Sequence, residues 1–103
     1  MAKVRIMTTQ GTGEKSAWFW CPGCKGYHRI PFENGPVTWD FNGDVDAPTI
    51  SPSILTDGHR PERRCHSFVR SGKIQFLNDC GHELAGQTVE LPEWNVENES
   101  FIN

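Results

Sequence analysis

The 103-residue chain has no apolar run approaching the roughly 18 residues of a helical membrane span. It has no basic excess either: lysine and arginine total 10 against 13 acidic residues, a net charge of −3. The first absence excludes a helical anchor. The second argues against a general nucleic-acid binder, whose footprint is a cationic surplus. The N-terminus, Met1-Ala2-Lys3-Val4-Arg5-Ile6, lacks the apolar core of a signal peptide, so the expected location is the cytoplasm. Internal repeats and low-complexity segments are missing. Apolar residues are scarce at 36%. A single small domain is expected, and a metal or cross-link would add noticeably to its stability. In a reducing compartment, four cysteines read as metal ligands or free thiols rather than disulfides.

What is present begins with a knuckle. Aromatic Trp18-Phe19-Trp20 runs into Cys21-Pro22-Gly23-Cys24. Two thiolates two residues apart can hold one metal from a single turn, with Pro22 and Gly23 expected to supply the backbone angles. A thioredoxin-type redox pair is disfavoured, because no helix start beside a βαβ unit follows.

Short alternating segments separated by turn residues predict an antiparallel β fold of about seven strands and one short helix. Strands are expected over 3–9, 16–20, 28–32, 37–41 and 87–91, with a proline-bearing edge segment over 46–55. The clearest hairpin pairs 65–70 with 73–77 across Ser71-Gly72. That turn predicts Arg70 opposite Lys73, Val69 opposite Ile74, Ser67 opposite Phe76 and Cys65 opposite Asn78. Cys65, Ser67, Val69, Ile74 and Phe76 then form a core face, with His66 and Phe68 on the other side. Residues 78–86 suggest the short helical turn, stopped at Gly86. The predicted organisation is a zinc-binding β domain over 1–92 and an acidic tail over 93–103, docked through Trp94 or partly mobile.

Potential ligands fall in three places: Cys21, Cys24 and His28; Cys65 and His66; Cys80 and His82. The hairpin brings the second and third together, so a four-cysteine zinc site of Cys21, Cys24, Cys65 and Cys80 is the expected centre. His66, His82 or His28 could each replace one thiol. Cys65 could instead be a buried small hydrophobe. If thiols saturate the metal, the unused histidines with Asp79 and Glu83 could serve acid–base chemistry or a second metal. Trp39 is a candidate binding aromatic. Arg60, Arg63 and Arg64 lie in a polar loop that could meet an anionic partner.

The Cys-Pro-Gly-Cys knuckle joins several further runs. These are Phe41-Asn42-Gly43-Asp44, Pro48-Thr49-Ile50-Ser51-Pro52-Ser53-Ile54-Leu55, Arg64-Cys65-His66-Ser67-Phe68-Val69, and the segment from Asp79-Cys80-Gly81-His82-Glu83-Leu84-Ala85-Gly86 to Pro92. Together they resemble a family of small phage and prophage proteins of unknown function, often labelled "ammonia monooxygenase". The resemblance spans Trp18 to Pro92. It implies a phage or bacterial origin and a metal site at Cys21, Cys24, Cys65, His66, Cys80 and His82. Some relatives lie near bacterial ubiquitin-like conjugation genes, which suggests an adaptor. The label itself conflicts with a chain lacking any span. Gly81 stands where relatives often carry Thr.

Three functional readings follow. The foremost is a zinc-stabilised phage or bacterial accessory protein that binds a host or phage protein partner. Its competitor is a small metal-dependent hydrolase using His66 and His82, with Asp79 as a further catalytic candidate. The weakest is nucleic-acid binding through Arg60, Arg63, Arg64 and Lys73.

Overall fold

The structure is a computed structural model that describes residues 2–94. Eight strands follow in order: β1 (Arg5–Thr8), β2 (Lys15–Cys21), β3 (Gly26–Glu33), β4 (Asp40–Phe41), β5 (Ile50–Thr56), β6 (Cys65–Arg70), β7 (Lys73–Phe76) and β8 (Thr88–Glu90). They form two antiparallel sheets, β1-β2-β3 and β4-β5-β6-β7-β8, each pairing strands that neighbour one another in sequence. The all-β expectation holds. No helix among the described residues is long and apolar enough to cross a membrane.

The β6–β7 hairpin takes the predicted register, with Arg70 opposite Lys73, Val69 opposite Ile74 and Ser67 opposite Phe76. Both turn residues, Ser71 (φ 50°) and Gly72 (φ 79°), adopt left-handed backbone, as a two-residue turn between twisted strands requires. Alternation then places Cys65, Ser67 and Val69 in the core with Ile74 and Phe76. Ala17, Phe19, Cys21 and Ile30 join them from the first sheet. Phe19 and Phe76 are the largest fully buried side chains. Burying a side chain of this kind contributes about 2–3 kcal/mol.

The expected helix over 78–86 is instead a succession of turns. Cys80, Ala85 and Gln87 each donate to the carbonyl three residues back, but Gly81 N–H turns to Arg64 O and Gly86 N–H to Phe76 O. Those tertiary bonds take the donors that a helix would need. Of residues 37–41, only Asp40 and Phe41 pair, because Trp39 N–H is held by Pro31 O and Val37 stays 67% exposed. Strand β5 is not an outer strand, yet β4 covers only Ile50 and Ser51 of it. Trp94 N–H donates to Ala2 O at 2.6 Å, and its ring lies 5.1 Å from Tyr27. The tail expected beyond it falls outside the described residues.

Candidate active site and metal centre

The knuckle is the hairpin turn between β2 and β3, where Cys21 pairs with Gly26. Lys25 N–H closes it onto Cys21 O at 2.8 Å, and Cys24 N–H points at Cys21 Sγ at 3.4 Å. The left-handed residue is Lys25 (φ 56°) rather than Gly23. Gly23 is required for a different reason: a Cβ there would sit inside the His82 imidazole.

Directly opposed residues of antiparallel strands share a sheet face. His28 opposes Phe19, so it projects to the same inner side as Cys21. Cys65 enters from the first position of β6, with its sulfur 3.9 Å from Cys21 Sγ. The ligand atoms of Cys21, Cys24, His28 and Cys65 thus lie within 4.8 Å of one another. The group joins the two sheets and could hold a metal ion.

The donors suit that role. His28 Nε2 is buried without a hydrogen-bond partner. The three sulfurs hydrogen-bond one another, so the proton state of each depends on the others. The Cys21 thiol is driven far below its usual range, chiefly by hydrogen bonds from the Cys24 and Cys65 thiols. Cys24 is pushed up to about 11, chiefly because its proton is held by Cys21, and Cys65 is raised for the same reason. One thiolate is stabilised at the expense of the other two. A divalent cation would replace the shared protons and let all three ionise.

Cys80, expected as the fourth thiol, belongs to a second group with Cys65 and His82. Its sulfur accepts His66 N–H and donates to His66 O, both at 3.2 Å. His82 lies edge-on to Phe76 at 4.5 Å, and its Nδ1 accepts Leu84 N–H at 3.2 Å. With Nδ1 accepting, a neutral ring carries its proton on Nε2, so ligation there would require that bond to break. Nε2 of His82, like that of His28, is buried without a hydrogen-bond partner.

His66 joins neither ligand group. It stands on the opposite face of β6 from Cys65, half-buried, where its two ring nitrogens bridge two partners. Nε2 meets Ser53 Oγ at 3.2 Å, and Nδ1 meets Asp79 Oδ2 at 3.2 Å. Ser53 lies in β5, within the register irregularity between Ile50 and Ile54. Such bulges re-aim side chains and are common beside active sites. Trp39 Nε1–H holds the Ser53 carbonyl at 3.2 Å, so this candidate binding aromatic supports the serine from behind. Asp79 is placed by the turn whose Cys80 N–H bonds Leu77 O and whose Gly81 N–H bonds Arg64 O. Gly81 leaves no room for a side chain, because a Cβ would strike the Pro61–Glu62 backbone.

His66 and Asp79 were legible as candidates; Ser53 was not, because serine is common and the Ser-Pro-Ser run offers no motif. The loop arginines do not converge. Arg60 and Arg63 are exposed, while Arg64 Nε donates to Gly58 O at 3.0 Å. Arg63 does line a cleft of ≈ 230 Å³ with Cys24, Asp57, Glu62 and His82, but two carboxylates there offset its charge.

Fold and site together define a small all-β protein with a Ser–His–Asp constellation on one face of a sheet and, on the other, a cysteine-rich cluster that could hold a metal ion. The chain belongs to the family described as "Bacterial ubiquitination-like system serine protease (BubE)", whose model matches residues 1–77. That span includes Ser53 and His66 and ends before Asp79. No curated protein and no solved structure matches the chain. The family is bacterial, and the match supports neither a phage origin nor the monooxygenase label.

Proposed function

We propose that this protein is a serine hydrolase of a bacterial ubiquitination-like system, cleaving an acyl bond in a protein component of that system. The observation that carries the reading is the unbroken relay Ser53 Oγ–His66–Asp79, with both contacts at 3.2 Å. The family description, a serine protease, agrees with it. Ser53 Oγ attacks the scissile carbonyl while His66 Nε2 takes its proton. Asp79, at Nδ1, holds the ring in the tautomer whose Nε2 is the base and stabilises the imidazolium. His66 then protonates the departing group, leaving Ser53 acylated. Water, deprotonated by the same nitrogen, releases the acyl group.

In this reading the metal would be zinc, and Cys21, Cys24, Cys65 and His28 would hold it. With four protein ligands it would stabilise the fold and leave the hydrolysis to Ser53. On this reading the expected zinc-stabilised module would serve as the scaffold, and its expected protein partner would be the substrate. Hydrolysis by a metal-bound water on His66 and His82 is disfavoured by the commitment of His66 to Ser53 and Asp79.

The test is active-site labelling. A fluorophosphonate should add one phosphonyl group to the wild-type chain, mapped to Ser53 by peptide mass spectrometry. Ser53→Ala and His66→Ala should both abolish the adduct while keeping the wild-type circular dichroism. Labelling that persists in Ser53→Ala would refute the assignment.

A further inference from the structure

Strand β5 carries an open edge beside the proposed nucleophile. In antiparallel pairs, hydrogen-bonded and non-bonded pairs alternate. His66 sends its N–H to Cys80 Sγ and receives Leu77 N–H on its carbonyl, so its main chain faces away from β5. Its β5 partner, Leu55, is therefore in a non-bonded pair, and the Leu55 N–H and C=O point outward. The Ser53 carbonyl points outward as well, since it accepts the Trp39 indole. The strand that should lie there, β4, stops after pairing Ile50 and Ser51. Trp39 thus fills the position opposite Ser53, and no strand among the described residues lies beside Leu55. The Leu55 side chain is 53% exposed and shares the sheet face of His66.

We infer that the outer edge of β5 at Leu55 is the docking line for the acyl side of the substrate, bound as an added extended strand. The occupant is an unstructured peptide segment ending at the scissile carbonyl. Its main chain pairs with the Leu55 N–H and C=O, and Trp39 walls the path next to Ser53. The acyl side is the half that must stay in place while it is esterified to Ser53, and main-chain bonds two residues away hold it through both steps. Main-chain pairing supplies affinity at an open sheet edge without demanding a particular sequence. The inference rests on Ser53 being the nucleophile.

The test uses the full chain and N-acetyl alanyl boronic acids of one to four alanines, which offer main chain and little else. Boron bonds to Ser53 Oγ and becomes tetrahedral, and the hydroxyl proton passes to His66. Dissociation constants are read by calorimetry. Affinity should rise about tenfold at the alanine whose main chain reaches Leu55, the worth of two added hydrogen bonds. N-methylation of the amide that pairs there should cancel the gain. Leu55→Pro, if folded by circular dichroism, should cancel it too. A flat series, with the shortest boronate still bound at Ser53, overturns the docking line alone. Failure of every boronate and of the fluorophosphonate to modify Ser53 overturns the hydrolase reading, and this inference with it.

Discussion

Stripping the metal proposed for the Cys21–Cys24–His28–Cys65 cluster should cost this protein much of its stability, and the amount can be worked from the fold. Cys21 and Cys65 are 44 positions apart, and an ion on both sulfurs closes that length of chain. Removing such a cross-link returns loop-closure entropy to the unfolded state, worth about 4 kcal/mol for this separation. Each kcal/mol moves the melting temperature of a domain of this size by about 4–8 °C, so metal removal should lower it by roughly 15–30 °C. The measurement is a pair of calorimetric melts, one on protein with one zinc per chain by elemental analysis and one after dialysis against EDTA. Cys65→Ser should reproduce the shift without chelator. Because three thiols must lose protons to bind, affinity for zinc should weaken as pH falls. A metal-free sample melting at the temperature of the loaded one would refute the reasoning, since no loop would then be closed by the ion.

Asp79→Asn should lower kcat by roughly a hundred- to a thousandfold, less than loss of a fully buried orienting carboxylate, because the Asp79 side chain is 45% exposed; steady-state kinetics with unchanged far-ultraviolet dichroism would check it. Gly23→Ala should destabilise the fold by about 1–3 kcal/mol through the collision with the His82 ring, read from urea denaturation. Ser67→Ala should do the reverse: the Ser67 hydroxyl is buried without a partner, and its removal should stabilise by up to about 1 kcal/mol in the same assay.

The sheet was legible wherever period two and turn chemistry agreed. The β6–β7 hairpin is the best case, because Ser71-Gly72 sets a register that the burial of Val69, Ile74 and Phe76 confirms. The region 78–86 misled because its composition suits a capped helical turn, while its donors are claimed by Arg64 and Phe76, partners distant in sequence. Cys21, Cys24 and Cys65, with His28 as an alternate, were legible as residues that could hold a metal, and the structure brings these four together. The place of His28 beside them depends on its opposing Phe19 across β2 and β3, a register that the knuckle sets but spacing alone does not reveal. The Ser53–His66–Asp79 constellation was half visible. His66 and Asp79 are uncommon residue types near other ligands and draw notice. Ser53 acquires meaning only when β5 folds beside β6 and the irregularity after Ile50 turns it toward His66.

Cys65 and His66 are consecutive residues of one strand, and the pleat sends them to opposite faces. That adjacency gives the molecule a shared point of failure. A one-residue insertion or deletion shortly before Cys65 that slipped β6 by a single step would push the imidazole into the apolar interior and turn the thiol outward in the same move. Ion binding and proton transfer would vanish together, although neither residue had been replaced. A length change there should therefore be tolerated only where the loop before Arg64 takes it up without shifting the alternation of β6.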